Sequence, residues 1–206
     1  MFRINEMYKI FLIIILFCVL NFHSMASNYS DHRIAVLVND QLITSYDIVQ
    51  RMKMNAILNG INITPENNDQ FVNSVIDELI KEKLKNEKIK EYDIVITNDE
   101  YLTYEDNFYQ NIKLDKNIII EIFKTNSVKY NELENFLIYE LSWQKLVSQM
   151  YYRLTSTSEI EINEILNKNK NITKEIAENM VIQKQLDLKS SKMIRDMMNE
   201  ATIEYK

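Results

Sequence analysis

The chain of 206 residues contains one glycine, Gly60, and one proline, Pro65. A phosphate-binding loop needs several glycines, because its backbone must approach the phosphate closely. A serine nucleophile elbow needs flanking glycines in its sharp turn for a similar reason. The sequence therefore excludes phosphate-binding loops and hydrolase elbows of these kinds.

The first 26 residues have the organisation of a secretory signal peptide. Arg3 and Lys9 form a basic head, residues 10–20 are an unbroken apolar run, and Ser24 and Ala26 are small residues at the exit. A membrane-spanning helix needs about 20 apolar residues, which favours cleavage after Ala26 over a retained anchor. We therefore expect export, with no stable membrane insertion after cleavage.

Cleavage would change the chemistry that is available to the chain. The only cysteine, Cys18, would leave with the signal peptide, so the mature chain could form no disulfide. The formal net charge of −6 becomes −7 when Arg3, Glu6 and Lys9 are removed. This acidic balance disfavours a nucleic-acid partner, which needs a basic face.

Candidate catalytic and metal-binding residues are scarce. The mature chain keeps one histidine, His32, so a zinc site would have to use carboxylates alone. Carboxylate pairs such as Asp99 with Glu100 are expected by chance in an acidic chain, and the starts of helices favour them. We therefore predict no catalytic residue, no metal site and no cofactor.

Hydrophobic periodicity predicts a mainly helical fold after residue 44. The helix over 130–154 is apolar on two faces, which is typical of a helix surrounded by others, so we place it at the centre of the fold. The predicted helices cover 45–58, 68–91, 115–124, 130–154, 158–168 and 173–199. One more helix, which follows Thr97, carries Tyr101, Tyr104, Phe108 and Ile112 at spacings of three, four and four residues.

Several side chains indicate where these helices begin and end. Thr44 with Asp47 and Thr97 with Glu100 have the spacing of a capping box, in which each side chain bonds the backbone of the other residue. Gly60 fits the end of the first helix. Ser158 with Glu161 fits the start of the short helix that ends near residue 168.

The segment over 34–43 reads as a β-hairpin with Asn39 and Asp40 in a two-residue turn. A two-stranded hairpin alone is marginally stable in water. The last residues, 202–205, read as a third strand that would complete a sheet. The predicted fold class is therefore mainly α, with a small antiparallel β-sheet formed by the N-terminal hairpin and the C-terminal strand.

Four stretches in this order carry a resemblance to the SurA family of periplasmic chaperones. They are "IAVLVNDQLITSYDIVQRM", "VIDELIKEKLKNEKIKEYDIVITNDE", "YNELENFLIYELSWQKLVSQM" and "MIRDMMNEATIEYK". The resemblance covers 34–206 and implies a chaperone domain over 27–206, with a lobe over 34–166 and a returning helix and strand over 173–206. Tyr92 and Asp93 depart from the family, which usually has glycine there.

The family normally carries one or two parvulin-type prolyl isomerase domains before the final helix. Here that point falls at 167–171 and nothing is inserted. A chain with one glycine also cannot supply the glycine-rich segment on which the parvulin domain relies. The resemblance therefore implies the chaperone core without the isomerase, and hence no enzyme.

The resemblance implies an ATP-independent periplasmic holdase for unfolded outer-membrane β-barrel proteins or other envelope polypeptides. Two alternatives stay open. One is a peptidyl-prolyl isomerase by family inheritance, and the other is a non-chaperone periplasmic interaction protein, since a fold does not fix a function.

A client groove would need an apolar and adaptable surface, and methionine suits it because its flexible thioether repacks around varied partners. Methionines of the first and last helices are candidates to line it, while those on the inner stripes are expected in the core. Met54 and Met198 lie off those stripes, and Tyr109 and Tyr139 lie off the main aromatic stripe. The predicted substrate-binding residues are therefore Met54, Tyr109, Tyr139 and Met198.

Overall fold

The computed structural model describes residues 32–206, so the predicted signal peptide over 1–26 lies outside the described residues. Residues from Arg33 to Lys206 form one compact unit. Its elements are β1 (Ile34–Val38), β2 (Gln41–Thr44), α1 (Ser45–Asn59), α2 (Asn68–Glu91), α3 (Asn98–Ile112), α4 (Lys116–Thr125), α5 (Tyr130–Tyr151), α6 (Glu159–Lys168), α7 (Lys174–Glu200) and β3 (Ile203–Tyr205).

The three strands form one antiparallel sheet in the order β2-β1-β3. Asn39 takes the left-handed conformation that the hairpin turn requires, with φ of 50°. Its backbone N–H donates to the carbonyl of Thr202 at 2.8 Å, and the N–H of Lys206 donates to the carbonyl of Ala35 at 2.9 Å. The predicted fold class, including the third strand, is confirmed.

The ends of the helices follow the side chains that the sequence provides. Thr44 with Asp47 and Thr97 with Glu100 both form complete capping boxes. Gly60 ends α1 with φ of 62°. Asp93 has φ of 49°, so aspartate takes the left-handed position where the family usually has glycine. Ser158 is the N-cap residue of α6, where the sequence predicted the helix to start, although its side chain bonds no backbone N–H there.

The first hydrophobic cluster joins one face of the sheet to α2, α5 and α7. It buries Val36, Ile43, Leu84, Trp143 and Met197 among others. The face of α7 that carries Ile182, Leu186, Met193 and Met197 packs in this core. The helix predicted over 130–154 is shorter in the structure, because α5 ends at Tyr151 and a 3₁₀ turn over 152–154 follows. Leu154 in this turn is 68% exposed.

The second hydrophobic cluster lies at the other end of α5. Its centre is Phe123, with Ile119 of the same helix and Leu133 and Leu137 of α5. Since α5 contributes to both clusters, it is the central helix that its two apolar faces predicted.

A third, small cluster holds α6 against the first half of α7 through Ile162, Ala177 and Val181. The connection over 169–173 has no regular structure. The division into a lobe over 34–166 and a returning segment over 173–206 stays a prediction.

Candidate client-binding surface

A cleft lies between α5 and α7, with a volume of about 240 Å³. Trp143 and Val147 are one turn apart on α5 and form its apolar wall with Leu186 of α7. The buried indole of Trp143 donates its Nε1–H to Ser190 Oγ at 2.8 Å. Its other lining residues are polar, namely Gln144, Ser148, Gln183, Asp187 and Ser190.

A shallower depression of about 360 Å³ adjoins this cleft on the outer side of α7. Its apolar residues are Met180 and Leu188, and its remaining lining residues are Gln183, Lys184, Asp187 and Ser191. Gln183 and Asp187 line both depressions, and Gln183 Nε2 donates to Asp187 Oδ1 at 2.8 Å. The cleft and the depression are therefore one continuous region, named here the α5–α7 surface.

Large apolar side chains of α7 remain in solvent on this side of the helix. Met180 is 45% exposed and Leu188 is 63% exposed, and Ile176, one turn before Met180, is also exposed. Single exposed apolar residues are normal on a protein surface, whereas a larger contiguous apolar patch marks an interaction site. Met180 and Leu188 line the depression that adjoins the apolar cleft. The α5–α7 surface is therefore the candidate binding surface of the described chain.

The structure corrects the predicted location of Met54. Its side chain is 0% exposed and packs in the second cluster with Phe123 and Leu133. The helix α1 has two inner faces rather than the one expected from the sequence, with Ile48 in the first cluster and Met54 in the second. Met54 is thus a core residue in this conformation.

Tyr109 is half-buried and belongs to a polar network. Its hydroxyl lies 2.8 Å from that of Tyr130, which donates to Glu105 Oε1 at 3.1 Å. Glu105 also accepts from Tyr101 Oη at 2.9 Å and from Lys116 Nζ at 2.8 Å. Tyr109 therefore helps to join α3, α4 and α5.

Burial and hydrogen bonding act in opposite directions on the carboxyl group of this network. Burial pushes the pKa of Glu105 upward, but the bonds from Lys116 and the tyrosine hydroxyls outweigh it and hold this pKa below its usual range. Burial raises the pKa of the Tyr109 hydroxyl. The network is consequently an ionised carboxylate surrounded by neutral phenols, which is a stabilising arrangement.

Tyr139 and Met198 are both half-buried, on α5 and α7 respectively. Met198 packs against the first cluster, whereas Tyr109 and Met54 belong to the second. The structure therefore does not gather the four predicted residues into one groove. Their role in binding a client stays a prediction.

Sequence reasoning did not single out Trp143, Leu186 and Leu188 as binding residues. Trp143 and Leu186 also pack in the first hydrophobic cluster. Met180 was among the candidate methionines, and the pair Met180 and Leu188 repeats at a helical spacing that the sequence shows. That spacing is the same for a buried stripe, so it could not reveal exposure.

The α5–α7 surface carries hydroxyls, amides, one carboxylate and one ammonium group, beside apolar side chains. Such a lining can hold a ligand by apolar contact and hydrogen bonds. Across residues 32–206, no three acidic, histidine or cysteine side chains cluster closely enough to hold a metal ion. Within the same range, no helix combines the length and the apolar character needed to cross a membrane.

These features describe a mainly helical module that is closed by a small three-stranded antiparallel sheet. The chain belongs to the SurA-like N-terminal domain family, whose model matches residues 4–132. The resemblance seen in the sequence is thereby confirmed.

The chain is also similar to one curated protein and to one solved structure. The chain is 27% identical over 180 residues to Chaperone SurA of Buchnera aphidicola subsp. Schizaphis graminum, covering 78% of this chain and 38% of that protein. The chain therefore spans less than two fifths of the curated relative's length. A solved structure from work on PEB4 and Cj1289, described as SurA-like chaperones of Campylobacter jejuni, is 15% identical with a TM-score of 0.49, over 84% of this chain and 98% of that one.

Proposed function

We propose that this chain is an ATP-independent periplasmic holdase that binds unfolded envelope polypeptides, outer-membrane β-barrel proteins among them. The observation that carries the proposal is the α5–α7 surface, where exposed Met180 and Leu188 adjoin an apolar cleft, in a member of the SurA-like N-terminal domain family. The similar Buchnera protein is named a chaperone, which supports the same class of function.

The chemistry of this surface suits a holdase because it offers contact area without demanding one ligand shape. Met180 can adapt its unbranched side chain to different apolar segments. The polar rim, with Asp187 and Gln183, keeps the empty surface hydrated. The net charge of −6 favours solubility while a client is bound.

A non-enzymatic role is part of the proposal. The matching family model describes the N-terminal domain of SurA-like proteins, and the single glycine of the chain argues against a parvulin site. A prolyl isomerase assay on a short proline peptide would show no acceleration above the uncatalysed rate. Acceleration that scales with protein concentration would contradict this part.

The holdase activity can be measured directly by light scattering. An outer-membrane barrel protein is diluted from urea into buffer without ATP, at increasing ratios of the purified chain to the client. We expect aggregation to be suppressed at near-stoichiometric ratios. Unchanged aggregation at tenfold excess of a well-folded sample would contradict the proposal, and a stable stoichiometric partner in a pull-down would then favour a dedicated interaction protein.

Variants locate the activity on the protein. Met180→Asp and Leu188→Asp place a charge on the α5–α7 surface, and each should raise the ratio needed for half-suppression several-fold. Leu102→Asp makes the matched change at another exposed leucine, on α3, which does not line that surface. Equal loss of activity in all three variants would contradict this location.

A further inference from the structure

A separate apolar groove lies where the end of α1 meets α4. Its volume is about 460 Å³, which is in the range of small-ligand and short-peptide sites. The aliphatic lining residues are Ala56, Ile57, Ile61, Ile63 and Ile122, and the polar ones are Lys53, Asn62 and Asn126, with Gly60 between them. No acid, histidine or cysteine lines this groove, so its side chains suit the binding of a ligand better than acid–base or nucleophilic catalysis.

The wall of the groove opposite α4 is built by the chain that leaves α1. Gly60 turns the backbone with φ of 62°, and no atom lies within 4 Å of the place where a Cβ would be. A ligand can therefore approach the backbone closely at this point. Asn67 fixes the far end of the segment, since its Oδ1 accepts from the N–H of Thr64 at 2.8 Å and its Nδ2 donates to the carbonyl of Asn62 at 3.0 Å.

The segment over 61–63 presents unpaired backbone groups. Considering only contacts inside residues 32–206, neither the N–H nor the C=O of Ile63 has a hydrogen-bond partner, and the N–H of Asn62 has none. An unpaired donor and acceptor beside apolar side chains are what a sheet edge offers to an added strand.

The charges in the lining of the groove indicate a neutral ligand. Lys53 is the only charged residue that lines the groove, and its ammonium already donates to the carbonyl of Asn126 at 3.0 Å. A small anion would find no second cation in the lining, and a cation would find no carboxylate. A neutral chain that supplies both backbone hydrogen bonds and aliphatic contact matches these groups best.

We infer that this groove binds an extended polypeptide segment, whose backbone pairs with Ile63 and whose apolar side chain sits between Ile57 and Ile122. The inference rests on the proposed function in one respect, that the segment belongs to an unfolded client. It adds a second binding region and a mode of recognition that reads backbone geometry rather than a particular side chain.

Synthetic peptides test the backbone pairing. The probe is a fluorescein-labelled peptide of eight alternating valine and threonine residues, and two analogues carry N-methyl groups on all valines or on all threonines. Fluorescence anisotropy gives the Kd of each peptide for the purified chain. At least one analogue should bind tenfold or more weakly, because N-methylation removes a donor and blocks close approach. Binding of both analogues within twofold of the parent peptide would overturn the inference.

Protein variants test the location. Ile61→Asp and Ile122→Asp should each weaken binding of the unmodified peptide at least tenfold. Leu102→Asp changes an exposed leucine of α3 that lines neither the groove nor the α5–α7 surface, and it should leave the binding within twofold. Ile61 is exposed and lies in the connection between α1 and α2, so its replacement should not disturb the fold. Ile61→Asp alone is used if circular dichroism shows that Ile122→Asp fails to fold. Unchanged binding by folded Ile61→Asp would overturn the inference.

The two proposals fail separately. Peptide binding that depends on N-methylation and on Ile61, without suppression of client aggregation, would support the groove and contradict the holdase function. Suppression of aggregation without those dependences would contradict the groove alone.

Discussion

Replacing Arg51 tests how the buried charges of this module stabilise its fold. Arg51 is 7% exposed and lies on α1, facing two carboxylates of α2. Its guanidinium nitrogens donate to Glu78 Oε1 and to Glu82 Oε2, each at 2.6 Å, and its Cζ lies 5.0 Å from the centre of the Phe136 ring on α5. Burial lowers the pKa of Arg51, but the two carboxylates outweigh it and leave that pKa raised.

The two carboxylates would respond differently to Arg51→Ala. Glu78 is 34% exposed and also accepts from Asn55 Nδ2 at 2.7 Å, so it keeps a partner and water. Glu82 is 12% exposed, and no other group of the described chain bonds it. Removing one partner of a buried ion pair destabilises a protein by about 3–5 kcal/mol. Since Arg51→Ala leaves one carboxylate unpaired rather than two, we expect it to lower the free energy of unfolding by about 3 kcal/mol, the lower end of this range.

The free energy of unfolding is measured in urea by circular dichroism at pH 7. Arg51→Ala should lower the urea midpoint with an unchanged m-value. Adding Glu82→Gln to it should recover about 1–2 kcal/mol, because the unpaired charge is gone. Lys81→Ala breaks an exposed pair with Asp77 on the same helix and should change stability by less than about 0.5 kcal/mol. A decrease in the free energy of unfolding of less than about 1 kcal/mol in Arg51→Ala would refute this account of the buried ion pairs.

Three further predictions concern titration and a buried hydrogen bond. The pKa of Glu105 is lowered in the folded protein, so its charged form stabilises the fold at pH values above the pKa of the unfolded chain. This stabilisation is lost as the pH falls through the pKa of the folded state. Glu105→Gln should therefore flatten the acid side of the curve of Tm against pH. Burial, with Asp47 nearby, raises the pKa of Glu132, so its charge opposes folding at pH 7 and Glu132→Gln should raise Tm there but not near pH 3. A Glu132→Gln variant with a lower Tm at pH 7 would contradict this. Ser190→Ala leaves the indole N–H of Trp143 unpaired and should destabilise the fold by about 1–3 kcal/mol, measured by the fluorescence of this single tryptophan in urea; no change would contradict the role of the bond.

The elements of the fold could be predicted because their boundaries depend on local chemistry. Thr44 and Thr97 each precede a carboxylate by three residues, and this spacing alone specifies a capped helix start. Gly60 is the one residue without a Cβ, and it occupies the left-handed end of α1. The third strand followed from the marginal stability of an unsupported hairpin.

The binding surfaces could not be predicted to the same extent, because exposure depends on how many neighbours a helix has. The sequence places Met54 off the inner stripe of α1, yet its side chain is in the core, whereas Met180 of α7 is in solvent. That difference arises from α4 and α5, which cover one side of α1. The pairing state of the Ile63 backbone likewise depends on contacts that no local pattern encodes.

The sheet links residues that are far apart in the chain. Thr202 donates its N–H to the Asn39 side chain across 163 residues, and β1 pairs with both its neighbour β2 and the distant β3. Closing so long a loop is entropically unfavourable and slows folding relative to helix formation. We therefore expect the helices to form while one edge of β1 is still unpaired, and β3 to pair with that edge late in folding. A chain interrupted before residue 202 would present that edge to other chains, which makes incomplete copies of this module prone to aggregate with one another.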